Sequence, residues 1–287
     1  MTERPGIAVV YLMWIPYGMS YFRDFVGSYE RFSSGVDHQL FIVFNGVDNE
    51  DATEAYIRLL QERNITFREL RMISGQDIDA YFYAARQIDS EYILFLNTYS
   101  TFNASDWLLK YYNGFSVPGT AAVGATASFQ SYSSAVYVLN DWKWNSSKTL
   151  RVNFDKYKLL VKAFFYWSLL FKSFPNPHLR TNAFMVRRNV FLGLIRRNLR
   201  TKFDAYVFES GRKGMTNQLL RRRHLVYVVD KYGTLYPLDR AKESHAFWIG
   251  QQEGLLIADN QTRMYDRADP LERTKLTWLA WGKNEEI

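Results

Sequence analysis

The sequence predicts an α/β fold with one mostly parallel, Rossmann-like sheet flanked by helices, on three observations. Strand-like and helix-like patterns alternate through the first hundred residues. Two of the strand-like runs, IAVVYLMW and YILFL, are apolar throughout, the mark of strands covered on both faces. The 287 residues, 47% hydrophobic and 23% charged, suffice for one large core and are not the composition of a disordered chain.

The elements follow in order. Ile7 to Trp14 is the first strand, and after a turn at Pro16 and Gly18 a helix is expected over Ser20 to Phe32. Gln39 to Phe44 is the second strand, ending at Asn45-Gly46. Asp48 to Arg63 carries a partly regular apolar face and reads as a helix. Ile65 to Met72 is a third, more amphipathic strand, Asp77 to Ile88 a helix, and Tyr92 to Leu96 the fourth strand. This βαβαβαβ order argues for a parallel, doubly wound sheet, in which ligands sit at the carboxyl ends of the strands.

The second half is less regular. Trp107 to Phe115 reads as a short helix, and Ala121 to Phe129 as a strand of small residues. Ser131 to Asn153 has no clear period. Lys158 to Phe174 is apolar and studded with lysines, with an uncharged run far short of the roughly 20 residues that span a bilayer. It reads either as a peripheral contact with an anionic membrane face or as a buried helix or homodimer interface. A strand at Thr181 to Val186, basic helices around Asn189 to Asn198 and Gly211 to Arg223, and a terminal strand at Leu225 to Val229 complete a domain over residues 1–232. Residues 233–287, with a helix at Leu271 to Trp281, read as a loop-rich C-terminal extension packed on the same domain.

With no cysteine, disulfides, thiolate zinc sites and cysteine nucleophiles are excluded. The N-terminus lacks the basic region and cleavage site of a signal peptide, so the expected location is cytoplasmic, peripheral to the inner membrane face at most. The net charge of +7 favours an anionic partner. There is no phosphate-binding P-loop, no Gly-rich dinucleotide fingerprint and no serine-hydrolase elbow. No nucleic-acid-binding module is recognisable. A non-catalytic binder of nucleic acid or anionic membrane, using Arg196-Arg197, Arg200 and Arg221-Arg222-Arg223, is the alternative from another functional class.

Three stretches, in this order and spacing, resemble the GT-A glycosyltransferases of the family-2-like group. They are IAVVYLMW with HQLFIVFNGVDNED, then GQDIDAYFYAARQIDSEYILFLNTYS, then LRTNAFMVRRNVF followed by DAYVFESGRKGMTNQLLRRRHLVYVVDKYGTLYP. The resemblance covers about residues 7–230. It implies transfer of a sugar from a nucleotide-sugar donor to a glycan or lipid-linked glycan acceptor, as in polysaccharide biosynthesis. Donor contacts map onto Tyr11, Asn45, Asp48, Asp77, Asn97 and Tyr99. Acceptor or diphosphate contacts map onto Arg180, Asn182, Ser210 and Arg212. Glu209 takes the place of the general base of inverting members, at the start of the helix that follows. Without the resemblance, Asn45-Gly46 is a tight turn, and Asp48 and Glu209 are helix caps.

The chain departs from the family at the fourth strand, where Asn97 and Tyr99 stand in place of two metal-binding aspartates. Both are neutral and weaker ligands for a hard divalent ion. The expectation is an enzyme that needs no tightly bound metal, or one whose metal is held by acids elsewhere; a catalytically dead relative is the other reading. In the tail, which in such enzymes often folds back over the nucleotide, His245 reads as an ordinary polar residue rather than a metal ligand, and Asp259, Asn260 and Arg263 read equally as lining a site or as holding a loop together.

Overall fold

The computed structural model describes residues 6–47, 50–132, 167–196 and 201–283. Strand β1 (Ile7–Trp14) leads through a short 3-10 turn to α1 (Met19–Arg31) and β2 (Gln39–Asn45). Helix α2 (Glu54–Glu62), β3 (Arg68–Met72), α3 (Asp77–Gln87) and β4 (Tyr92–Leu96) follow. Next come β5 (Thr101–Phe102), α4 (Trp107–Asn113), β6 (Thr120–Gly124) and β7 (Ala127–Ser128). After the stretch outside the described residues lie β8 (His178–Leu179), β9 (Ala183–Arg187), α5 (Arg188–Leu192), α6 (Lys202–Ser210), α7 (Met215–Arg221) and β10 (Leu225–Val229). The chain closes with β11 (Leu235–Pro237), β12 (Ile257–Ala258), α8 (Asn260–Arg267) and α9 (Pro270–Trp281).

Eight strands form the main sheet in the order β11-β10-β6-β9-β4-β1-β2-β3. β1 pairs parallel with β2 and β4, β2 with β3, and β6 with β10. β9 runs antiparallel between β4 and β6, and β11 antiparallel at the edge. The fold is therefore the mostly parallel α/β sheet flanked by helices that the sequence predicts.

The unbroken apolar run of β1 is explained by its two covered faces. Ala8, Val10 and Leu12 face Ile78, Tyr81 and Phe82 of α3, while Val9, Tyr11 and Met13 face Phe22 and Phe25 of α1 and Trp107 of α4. Alternate residues of a strand point to opposite sides, so two helix layers demand apolar residues at every position. β3, at the edge, keeps Arg68 and Glu69 exposed, which blunts pairing with another chain.

Several expectations are corrected in the second half. The stretch Ala121 to Phe129 is two strands, because the chain leaves the main sheet after Gly124. A Cβ there would sit 2.8 Å from the Leu179 side chain, so only glycine admits β8 so close. The helix expected from Asn189 to Asn198 ends at Leu192, with residues 197–198 outside the described residues. Helix α6 was not anticipated. It starts at a capping box in which Thr201 Oγ1 accepts from the Asp204 amide and Asp204 accepts from the Thr201 amide. It ends at Gly211, where a Cβ would lie 2.3 Å from the Val207 carbonyl oxygen. The following helix consequently begins at Met215 rather than Gly211. Strand β10 is not terminal, since β11 pairs outside it. The stretch after Gly233 is less loop-rich than expected: it supplies β11, β12, α8 and α9, and its Leu238, Phe247, Trp248, Tyr265 and Trp281 share a core with β1 and α3.

Residues 158–166 of the apolar segment lie outside the described residues. At its described end Leu169 is 76% exposed, whereas Phe171 is wholly buried and its ring meets Tyr132 and Phe203. Among the described residues, no helix is long and apolar enough to cross a membrane.

Candidate functional site

A cavity of about 480 Å³ opens at the carboxyl ends of β1 and β4, where open α/β sheets hold ligands. Three stretches remote in sequence wall it. The first is the segments after β1 and β4 with the start of α3, the second runs from β8 through Asn182 and along α6, and the third is the C-terminal stretch at Phe247–Trp248 and Asp259–Gln261. Asp77, Asn97, Tyr99, Arg180, Asn182, Glu209 and Ser210 all line it, so most of the residues singled out in the sequence come together.

Glu209 sits near the end of α6, not at the start of a helix, so it is no N-cap. Its Oε2 accepts hydrogen bonds from both the backbone N–H and the hydroxyl of Thr181, each at 2.6 Å. Oε1 has no hydrogen-bond partner among the described residues. One oxygen is thus anchored and the other is available to a ligand. His178 is buried beside this wall, and burial lowers its pKa against the pull of Glu209. Its Nδ1 lies 2.7 Å from the Asn176 carbonyl oxygen. A carbonyl only accepts, so Nδ1 carries the proton and Nε2 is the acceptor of the neutral ring.

Asp77 opens α3, where a helix N-terminus favours negative charge. The protein packed around it nevertheless raises its pKa; Lys202 pulls it back and Glu209 adds to the rise. The carboxylate opens toward the cavity, so the rise reflects the density of the surrounding walls rather than sealing from solvent. Arg180 is held by three groups. It pairs with Asp259 at 3.0 Å, lies 4.1 Å from the Phe247 ring centroid, and reaches Thr126 Oγ1 at 3.4 Å. Asp259 itself is buried and caps α8 through the Thr262 amide. Arg263 of α8 donates to the Tyr99 carbonyl oxygen at 2.9 Å and to Thr101 Oγ1 at 2.7 Å.

The position of the expected acidic pair is occupied differently. Asn97 Oδ1 accepts from the Tyr99 amide at 3.1 Å and from Ser100 Oγ at 3.0 Å, and so is spent on its own turn. The Tyr99 ring packs on Tyr17 and Tyr21, and burial together with Tyr17 raises its phenol pKa. A hard divalent ion is held chiefly by carboxylates, and this pair offers none. Asn97 and Tyr99 do not fit such an ion, and among the described residues no cluster of three or more acidic or histidine side chains is placed to hold one.

Other candidates fall elsewhere. Tyr11 is wholly buried, stacked on Phe25 at 3.8 Å, with its hydroxyl on the Thr98 carbonyl oxygen at 2.6 Å. It is a strut beneath the cavity floor. Asn45 is buried and donates to the Gly75 carbonyl oxygen at 2.9 Å, fixing the loop into α3. Asp48 lies outside the described residues. Arg212 turns away from the cavity onto the Ser168 carbonyl oxygen, and the Ser210 hydroxyl bonds back to Tyr206 of its own helix. His245 is exposed and meets Glu253. Asn182 gives Oδ1 to Thr126 and its carbonyl oxygen to the Asn97 amide, with no partner for Nδ2 among the described residues.

The sequence did not single out His178, Thr181 or Lys202, nor the aromatic walls Trp14, Tyr17, Tyr132, Tyr206 and Trp248. Trp14 alone carried a signal, as the last residue of the first strand.

No family model matches the chain, and no curated protein matches it in sequence. In structure the chain is similar to solved glycosyltransferases. One is the mannosyltransferase PcManGT from Pyrobaculum calidifontis in complex with GDP-Man and Mn2+, at TM-score 0.41 and 11% identity over 66% of this chain and 46% of that one. Another is GalNAc-T7 with UDP, GalNAc and Mn2+, at TM-score 0.35 and 14% identity over 44% and 23%. A third is S. aureus TarS 1-349 in complex with UDP-GlcNAc, at TM-score 0.32 and 11% identity over 42% and 33%. The chain matches these three solved structures only distantly, each at a TM-score below 0.5. It spans less than half the length of each of these proteins, and at such scores and identities the likenesses assign neither activity nor substrate.

Proposed function

We propose that the cavity binds a nucleotide sugar and that the protein transfers the sugar, with inversion, to a hydroxyl of a glycan or lipid-linked glycan. The observation that carries this reading is Glu209, anchored at Oε2 by Thr181 and open at Oε1, in a cavity that also presents Arg180 and Lys202. In this reading Oε1 takes the proton of the acceptor hydroxyl. The acceptor oxygen bonds to the anomeric carbon as the bond from that carbon to the phosphate oxygen breaks, and the electron pair leaves on the phosphate. Positioned proton transfer of this kind supplies about 10²- to 10⁴-fold. Arg180 and Lys202 face the charge that develops on the leaving group. The aromatic faces of Trp14, Tyr17 and Tyr99 at one end suit a base, and those of Tyr132 and Tyr206, beside Glu209, suit the apolar face of a sugar.

The test is a thermal-shift screen of nucleotide sugars on the whole chain. A ligand at 100 times its dissociation constant adds about 2.7 kcal/mol to stability, and one sugar-nucleotide class is expected to stand out. Response only to polyanions, falling steeply with salt, replaces the enzyme reading with that of a basic binding protein.

A further inference from the structure

On the outer side of the wall that carries Glu209, three cations are gathered by the backbone rather than scattered. Phe171 and Gly211 form an isolated antiparallel bridge, and the Arg212 amide donates to the Leu170 carbonyl oxygen at 2.7 Å. The segments that carry Lys172 and Arg212 are thereby held side by side. Arg212 is braced by its Nε on the Ser168 carbonyl oxygen at 3.0 Å. Lys172 Nζ donates to Asn217 Oδ1 on α7, and Arg221 lies four residues beyond Asn217 on the same helix face. Neither Arg212 nor Arg221 forms an ion pair among the described residues, whereas Arg180, Arg187 and Arg196 each pair with a carboxylate.

Like charges held together cost free energy that an anion recovers. The Lys172 ammonium records that cost: burial lowers its pKa, and Arg221 and Arg212 lower it further. Arg212 is three positions after Glu209, at most about 10 Å of chain.

We propose that Lys172, Arg212 and Arg221 form a binding site for a phosphate group, separate from the donor cavity, that holds a phosphate-bearing acceptor with its hydroxyl toward Glu209. The acceptor part of this rests on the glycosyl-transfer reading; the phosphate site itself does not. The group has one chemistry and two sources, a soluble phosphate ester or a lipid headgroup. The guanidinium forks match phosphate oxygens in geometry as well as charge.

The experiment titrates inorganic phosphate into the whole protein and follows the Arg Nε–H resonances that disappear in Arg212→Lys and in Arg221→Lys. Both are expected to move saturably, and Arg212→Gln with Arg221→Gln is expected to weaken phosphate binding at least tenfold. The lysine variants, which keep the charge, retain most of it and control for folding. Unmoved resonances, or equal binding by the glutamine variant, overturn the site. So does a glutamine variant that loses nucleotide-sugar binding to the same degree, because the cluster then serves the donor. A protein that takes no nucleotide sugar yet loses phosphate with these arginines keeps the site and drops glycosyl transfer. Sedimentation with phosphatidylglycerol vesicles, set against phosphatidylcholine vesicles and free glycerol phosphate, assigns the source. Capture by the first alone marks a lipid headgroup, and equal competition by glycerol phosphate marks a soluble ester.

Discussion

The two facing walls of the cavity use similar groups in opposite ways. On the wall made by β4, Asn97 spends its amide oxygen on two bonds within its own turn, and Tyr99 packs against two other tyrosines. On the wall made by α6, Glu209 commits one oxygen to Thr181 and leaves the other to the cavity. The first arrangement is a frame whose polar atoms satisfy one another. The second holds a charged group in place while keeping part of it for a ligand. Proximity to a cavity therefore does not by itself leave a residue free for a ligand; an unspent hydrogen-bonding atom does.

The comparison breaks most directly at Glu209. Glu209→Gln keeps the shape and an oxygen for Thr181 but loses the proton acceptor, so turnover is expected to fall about 10²- to 10⁴-fold, with nucleotide-sugar affinity nearly unchanged. A small loss of turnover in a single-turnover assay moves the base elsewhere. Next comes its anchor. Thr181→Val removes a hydrogen bond to a charged group worth about 1.5–3 kcal/mol, which corresponds to roughly a 10- to 100-fold fall in kcat with little change in donor KM. Thr181→Ser restores the rate, and a valine variant with normal kcat removes the anchoring role.

A smaller effect concerns stability against pH. The His178 pKa is lowered in the folded protein, so the unfolded chain binds the proton more readily. The stability conferred by the neutral ring is complete above the unfolded value, near 6.5, and is lost as pH falls from there toward the folded one. His178→Asn is expected to flatten the fall in denaturation midpoint between pH 7.5 and 5.5; an unchanged slope puts the acid sensitivity elsewhere. The smallest expected effect is on the opposite wall. Because Asn97 and Tyr99 offer no anionic oxygen, turnover is expected to persist in excess EDTA. Abolition by chelator with rescue by Mn²⁺ makes other acids, Asp77 first, the ligands to examine.

The same contrast decides what the sequence revealed. β1 and β4 were legible to the residue because a strand covered on both faces has to be apolar at every position, and the shortness of the two runs sets them apart from a buried helix. Glu209 was expected to open the helix that follows, and it lies instead near the end of α6. The signal that ends α6 is the close approach of Gly211 to the Val207 carbonyl oxygen, and a glycine in sequence does not say what it approaches. Thr181 and His178 were illegible for a different reason. Each matters through a partner 28 residues away, in the case of Thr181, or through burial by other elements, in that of His178. Tyr11 shows the converse error. It stands where a ligand contact belongs in strand order, but its side chain points into the layer beneath, and a period of two residues decides that.

The hold of Arg263 on the end of β4 has a consequence for the order of events during synthesis. Its bond to Tyr99 joins residues 164 apart, and β12 pairs with β5 across a similar separation. Contacts closing loops of that length form late, because the chain entropy is spent before the contact returns anything. Strands β1 to β4 can assemble while the ribosome is still adding the later half, but the turn at Tyr99 lacks its tie to the C-terminal stretch until Arg263 has emerged. A nascent chain thus acquires the β1–β4 half of its sheet early and the C-terminal wall of the cavity last, so that, on the proposed function, ligand-dependent protection from protease reads out completed folding.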